Sequence, residues 1–275
     1  AHGFETWNLE LRGHGRSREA GSRHPATVEE YVEHDVPAAV SRILAEDDRR
    51  PLFYVGHSLG AMIGYQLDDE TLAELAGIVS IAGPFHFARG NWRLRTAARL
   101  IRPGLDASVV RIWPRLPFLV GAFGRGFGRA LWNLDTRLSL FPLHIWYPGS
   151  IERDLLRERI GDGWDRTGLG VLHHMMRWAE TDGQRSADES VDHLAQLDRL
   201  QLPLLCVVGE EDDPVPPASV AEGFERVGSE DKHWRSFGQA SHGVPFGHLD
   251  LVCGRHAAEL VWPEIAEWMV HRTSS

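Results

Sequence analysis

The sequence is short of the residues that would take it out of the ordinary globular class. Two cysteines in 275 residues, Cys206 and Cys253, are too few for a disulfide scaffold of this size. Cys206 lies inside an apolar run, where a cysteine serves as a small buried hydrophobe. No uninterrupted apolar stretch reaches the roughly 18 residues that a membrane-spanning helix needs. Low-complexity tracts and internal repeats are also missing, which excludes solenoid and disordered architectures. Lysine is almost absent, with Lys232 alone against 28 arginines. The net charge of −10 argues against general nucleic-acid binding. The glycines at 124, 126 and 128 have no strand leading into them, so they are not a dinucleotide loop. His173 and His174 lack metal-ligand partners at useful spacing. Neither of these two motifs implies a metal or an organic cofactor.

What is present is unevenly spread. Between Phe85 and Ser150 stand ten arginines and only two acids, Asp106 and Asp135, so the rest of the chain is strongly acidic. Phe85–Leu200 also holds six of the ten tryptophans (Trp92, Trp113, Trp132, Trp146, Trp164 and Trp178). Around this segment, strands and helices alternate. Thr6–Leu11 reads as a short strand entering a glycine turn at Arg12–Ser17. Ala26–Ala45 has helical spacing, with Val28, Tyr31, Val32, Val36, Ala39, Val40 and Ile43 on one face. Leu52–Val55, Ala76–Ile81 and Leu202–Val208 are apolar runs of strand length, and His233–Phe237 is a less apolar one. Pro217–Val227 reads as a helix, as does Arg255–Val270 with Ala258, Leu260, Val261, Ile265, Trp268 and Met269 apolar. Such alternation predicts a parallel sheet covered on both faces. The expected organisation is a core in two parts, 1–84 and 201–275, interrupted by a mostly helical insertion at 85–200. An insertion there sits at the carboxyl ends of the strands, where it would cap a site.

The chemistry begins at Gly56-His57-Ser58-Leu59-Gly60. The apolar run before it and the small-residue helix after it make it a Gly-x-Ser-x-Gly turn between strand and helix, the layout called a nucleophile elbow. Its glycines are expected because strand and helix backbones nearly touch. A serine needs a base, and the base an orienting acid. Glu210, Glu211, Asp212 and Asp213 follow the Leu202–Val208 strand, and His242 and His248 lie on a later loop. The order serine, acid, histidine is the one this layout requires.

With these pieces the chain resembles the α/β-hydrolase superfamily, in particular lipase- or esterase-like members with a helical cap. The resemblance is carried by Leu11–Ser17 (LRGHGRS), Val55–Met62 (VGHSLGAM), Val207–Pro217 (VVGEEDDPVPP) and Gly247–Gly254 (GHLDLVCG). It implies an α/β fold with a mostly parallel sheet flanked by helices. It selects Asp212 over Asp213 as the acid and His248 over His242 as the base, and places one oxyanion-hole donor on the backbone N–H of Leu59. A serine nucleophile rather than a carboxylate removes epoxide and haloalkane hydrolysis. The implied activity is hydrolysis of carboxylic esters through an acyl-enzyme, on a small-molecule ester with an apolar acyl group. Thioester hydrolysis or acyl transfer would use the same residues, and a truncated, inactive homologue acting at most as a binding module is the rival from another class.

The resemblance also implies three strands ahead of Thr6–Leu11, and a His-Gly loop supplying a second oxyanion donor. His2-Gly3 stands too close to Arg12 to be that loop, so the first strands are expected to be missing from this chain. With the strand between them gone, Thr6–Leu11 and Leu52–Val55 would lose a shared neighbour and leave ladder groups unpaired. A cytoplasmic location is the default expectation. Asn91–Arg102, read as a helix, puts Leu94, Ala97, Ala98 and Ile101 on one face and Arg95, Arg99 and Arg102 on the other. That basic face either neutralises acids it packs against, the favoured reading, or lies on an anionic lipid interface.

Overall fold

The computed structural model describes residues 3–47, 50–106, 109–118, 144–162 and 165–273. Its centre is a four-stranded, all-parallel sheet in the order β1-β2-β5-β6. The strands are β1 (Phe53–His57), β2 (Gly77–Ile81), β5 (Leu204–Gly209) and β6 (Lys232–Phe237). A two-stranded antiparallel ladder, β3 (Pro117–Phe118) with β4 (Thr167–Gly168), lies apart from it. Every residue of β2 and β5 is buried. Strands covered on both faces read as continuous apolar runs, which is why these two are legible in the sequence.

The two faces carry separate cores. On one side Val28, Tyr31, Val36, Met62, Ile63, Ile78, Phe85, Leu204 and Cys206 pack together. On the other, Val79, Ile81, Leu205, Val207, Phe237 and Phe246 meet Val261, Ile265 and Trp268. The expected face of 26–45 is largely buried, although regular helix occupies only Val36–Leu44, entered through a wider turn at Tyr31–Asp35. At the C-terminal end Ala258 faces solvent and Ala257 is buried instead. The wider turn at Ala257–Val261, ahead of the helix Trp262–Val270, shifts the angular position of residues before it.

Thr6–Leu11 is not a strand. It runs without a ladder partner over the surface, with Trp7 46 % and Leu9 40 % exposed. Among the described residues β1 pairs with β2 only and forms an edge of the sheet, and Val55 in its middle is 43 % exposed. Four parallel strands, with an open edge on β1, are consistent with the missing first strands expected from the sequence. Among the described residues no strand lies on the other side of β1 to template the Thr6–Leu11 backbone into the sheet.

The segment between β2 and β5 is mostly helical where described, with helices at Trp92–Asp106, Arg153–Asp162 and Leu169–Thr181. Trp178 and Trp146 are buried, Trp92 and Trp113 are exposed, and Trp132 and Trp164 lie outside the described residues. In Trp92–Asp106 the buried residues include Leu94 and Ala98, but Ile101 is 49 % exposed, against the expected stripe. Two of the three arginines of the basic face are tied down: Arg95 pairs with Asp182 and Arg102 with Glu180. Arg89 and Arg115 reach acids in the same way, Asp182 and Glu222 for the first and Glu30 for the second. Among the described residues no helix is long and apolar enough to cross a membrane.

Candidate active site

β1 ends in Gly56 and His57, and Leu59–Gln66 is helical, so Ser58 alone makes the turn between them. Its backbone is at φ 55° and ψ −118°, a region that costs a non-glycine residue about 1–3 kcal/mol. The neighbouring elements hold it there, since the Ser58 N–H donates to the Ile81 carbonyl at 2.9 Å, across the end of β2. The two glycines of the pentapeptide are not equivalent. A Cβ on Gly56 would stand 2.6 Å from the backbone of Gly60 and Ala61, whereas one on Gly60 meets nothing within 4 Å. Only the first glycine is therefore demanded by close approach. Gly56→Ala should destabilise the protein by about 1–3 kcal/mol through overpacking. Gly60→Ala should leave stability the same or slightly higher. Thermal melts of the two variants check both.

The later loops place the other residues. β5 ends in the turn carrying Asp212, whose side chain has no exposed surface. Asp212 Oδ2 accepts from His248 Nδ1 at 2.8 Å and its Oδ1 accepts from the Val215 N–H at 2.7 Å. Burial raises the Asp212 carboxyl, and its contact with His248 pulls the other way. Asp213 does not share this role. Its carboxylate accepts from the His144 N–H at 2.9 Å and its carbonyl from Asn91 Nδ2 at 2.6 Å. His242 is exposed, bonded to Ser241 and stacked on Phe237, with no contact to Asp212.

His57 links the serine turn to this pair, a contact the sequence reading missed. Its Nε2 donates to the His248 carbonyl at 3.0 Å, and the two rings lie 4.6 Å apart between centroids. Desolvation, with the neighbouring His248 adding to it, holds His57 down to about 3, so its ring is neutral. Leu59 opens the helix, and the first N–H groups of a helix have no intrahelical acceptor. Among the described residues no group of three His, Cys, Asp or Glu side chains is placed to hold a metal. Cys206 and Cys253 form no disulfide with each other.

A buried acid two residues beyond His248 was also unassigned in the sequence. Burial pushes the Asp250 carboxyl up to about 7, against the pull of the donors around it; Asp212 adds to the rise and His248 opposes it. An unfolded aspartate titrates near 4. Between those values the folded protein binds the proton more readily, so this group's contribution is fully present below about pH 4 and is lost as pH rises through about 7. Asp250→Asn, which stays neutral, should gain stability over the wild type at pH 8 and lose that advantage towards pH 4. Urea unfolding across this range reads the difference.

Comparison with known proteins bears on the fold. The family model described as serine aminopeptidase, S33, matches residues 1–129. A monoacylglycerol lipase from Paleococcus ferrophilus superposes with a TM-score of 0.58 at 18 % identity, over 92 % of this chain and 78 % of the other. The chain has the α/β-hydrolase fold. A thermophilic esterase from Thermogutta terrifontis shares the α/β-hydrolase fold with it at a TM-score of 0.53 and 16 % identity, over 96 % and 79 % of the two chains. A metagenome-derived lipolytic enzyme does so at 0.53 and 15 %, over 95 % and 80 %. No curated protein matches the chain by sequence.

Proposed function

We propose that this protein is a serine hydrolase of carboxylic esters. The observation that carries the reading is the buried Asp212–His248 hydrogen bond, brought against the Ser58 turn by the His57 contacts. With Nδ1–H committed to Asp212, the imidazole presents Nε2 as a base. Ser58 Oγ attacks the acyl carbon as His248 Nε2 takes its proton, and the Leu59 N–H is one donor to the oxyanion. Collapse expels the alcohol, which receives the proton from His248. Water then repeats the sequence on the acyl-enzyme, its proton passing to His248 and back to Ser58 Oγ. In this reading residues 85–200 are a cap on a core formed by 1–84 and 201–275. The substrate is a small-molecule ester with an apolar acyl group.

The lipolytic relatives support the ester class, and the buried carboxylate beside the imidazole supports the roles of Asp212 and His248. The ion pairs of Arg95 and Arg102 support the reading in which the basic helix neutralises neighbouring acids rather than lying on lipid. The test is labelling by a fluorophosphonate, followed by hydrolysis of p-nitrophenyl esters of increasing chain length. Stoichiometric labelling at Ser58 and ester turnover are expected. A protein that neither labels nor hydrolyses any ester of the series is not the proposed enzyme. Vesicles of anionic lipid at low salt separate the two readings of the helix, and no co-sedimentation is expected.

A further inference from the structure

The chain leaves the core after β2 and returns to it at β5, and the first described stretch after residues 119–143 begins at His144. From there to Ser150 it is fastened to the loop that carries His248. Asp250 is the centre of the fastening. It is 1 % exposed; its Oδ2 accepts the backbone N–H groups of Gly247 at 2.6 Å and Tyr147 at 2.8 Å, and its Oδ1 accepts Ser150 Oγ–H at 2.6 Å. The backbones continue the seam. The Leu249 N–H donates to the Ile145 carbonyl at 2.8 Å, and the Arg255 N–H to the Ser150 carbonyl at 2.9 Å. Beneath them Trp146, Ile151 and Leu156 pack with Leu249 and Cys253. The approach is tight enough that a Cβ on Gly247 would come within 2.9 Å of Asp250 Oδ2 and 3.0 Å of the Tyr147 nitrogen.

A carboxylate buried here is not needed for charge balance, because no cation lies among its hydrogen-bond partners. What it supplies is acceptors. Two backbone N–H groups from segments about a hundred residues apart converge on one oxygen, which no apolar side chain could satisfy. We propose that Asp250 is a positioning residue, whose carboxylate locks residues 145–150 to the loop 247–250 so that His248 is held in register with Asp212. This rests on the reading of His248 as the base. Asp213 makes the matching attachment on the acid's loop, through His144 and Asn91. Both loops that carry the proposed acid and base are thereby tied to the insertion, and neither tie uses the Asp212–His248 bond itself.

The test uses the full chain with Asp250→Ala, Asp250→Asn and Ser150→Ala. Hydrogen exchange followed by mass spectrometry should show peptides over 144–150 and 246–250 exchanging at least tenfold faster in Asp250→Ala, with 204–209 unchanged. The downfield proton resonance of His248 Nδ1–H should broaden or vanish in Asp250→Ala. Asparagine keeps an acceptor oxygen for the two N–H groups, so Asp250→Asn should restore both signals. Ser150→Ala, which removes one donor at the rim, should speed exchange in 147–150 while leaving the Nδ1–H resonance in place. Fluorophosphonate labelling should slow by roughly tenfold or more in Asp250→Ala and recover in Asp250→Asn. Unchanged exchange, or faster exchange with an unchanged Nδ1–H resonance, in Asp250→Ala overturns the proposal. Should Asp250→Ala not fold, unchanged exchange over 147–150 in Ser150→Ala overturns it instead. A wild type that shows these exchange and resonance effects but never labels would instead overturn the ester-hydrolase reading alone.

Discussion

Ser58→Ala is expected to abolish fluorophosphonate labelling and to lower kcat for p-nitrophenyl esters by about 10⁴-fold or more, with KM little changed. The size follows from the role. Removing the attacking oxygen leaves only binding and oxyanion stabilisation, and these act without a covalent intermediate. The substitution should not harm the fold. Ser58 holds a left-handed backbone, which alanine tolerates about as well as serine, and its stabilising bond to Ile81 comes from the backbone N–H. A Ser58→Ala protein with unaltered melting and undiminished turnover would move the chemistry to another residue.

The second large effect separates two adjacent acids. Asp212→Asn is expected to lower kcat by about 10⁴-fold, because an amide facing His248 Nδ1 selects the wrong tautomer and cannot stabilise the imidazolium. Asp213→Asn should cost less than about tenfold, since an amide oxygen can still accept the His144 N–H. His248→Ala should match Asp212→Asn or exceed it, and His242→Ala should be close to neutral, its ring lying on Phe237 away from the acid. Kinetics of the four variants at one pH, with circular dichroism to verify folding, give the comparison. Equal losses in Asp212→Asn and Asp213→Asn would show that the assignment within the acidic run is wrong.

Much of the sheet was readable because it is parallel and buried. Gly77–Ile81 and Leu204–Gly209 are covered on both faces and so appear as largely apolar runs, broken in the first only by Ser80. Lys232–Phe237, at the far edge, is only partly covered and shows a weaker signal. Thr6–Leu11 has strand-like residues but no ladder partner, and strand propensity without a neighbour does not make a strand. Ile101 failed for a related reason. Helical spacing gives the faces of a helix, but the depth to which each side packs depends on the elements laid against it.

The sequence by itself determined the α/β class, the strand-to-helix turn at Ser58, the order of serine, acid and histidine, and a short choice of residues at each later position. These are local or one-dimensional properties: apolar period, glycine placement and chain order. Only the tertiary structure decided that Gly56 and not Gly60 is required by contact, and that Asp212 meets His248 while Asp213 and Asp250 accept from residues 144–150. Four neighbouring carboxylates are alike in the chain, and a hydrogen bond is set within a few tenths of an ångström by backbones that approach from distant parts of it. Which acid faces the imidazole is therefore fixed by how β5, the His248 loop and residues 144–150 pack together, a relation that residue type and spacing do not encode.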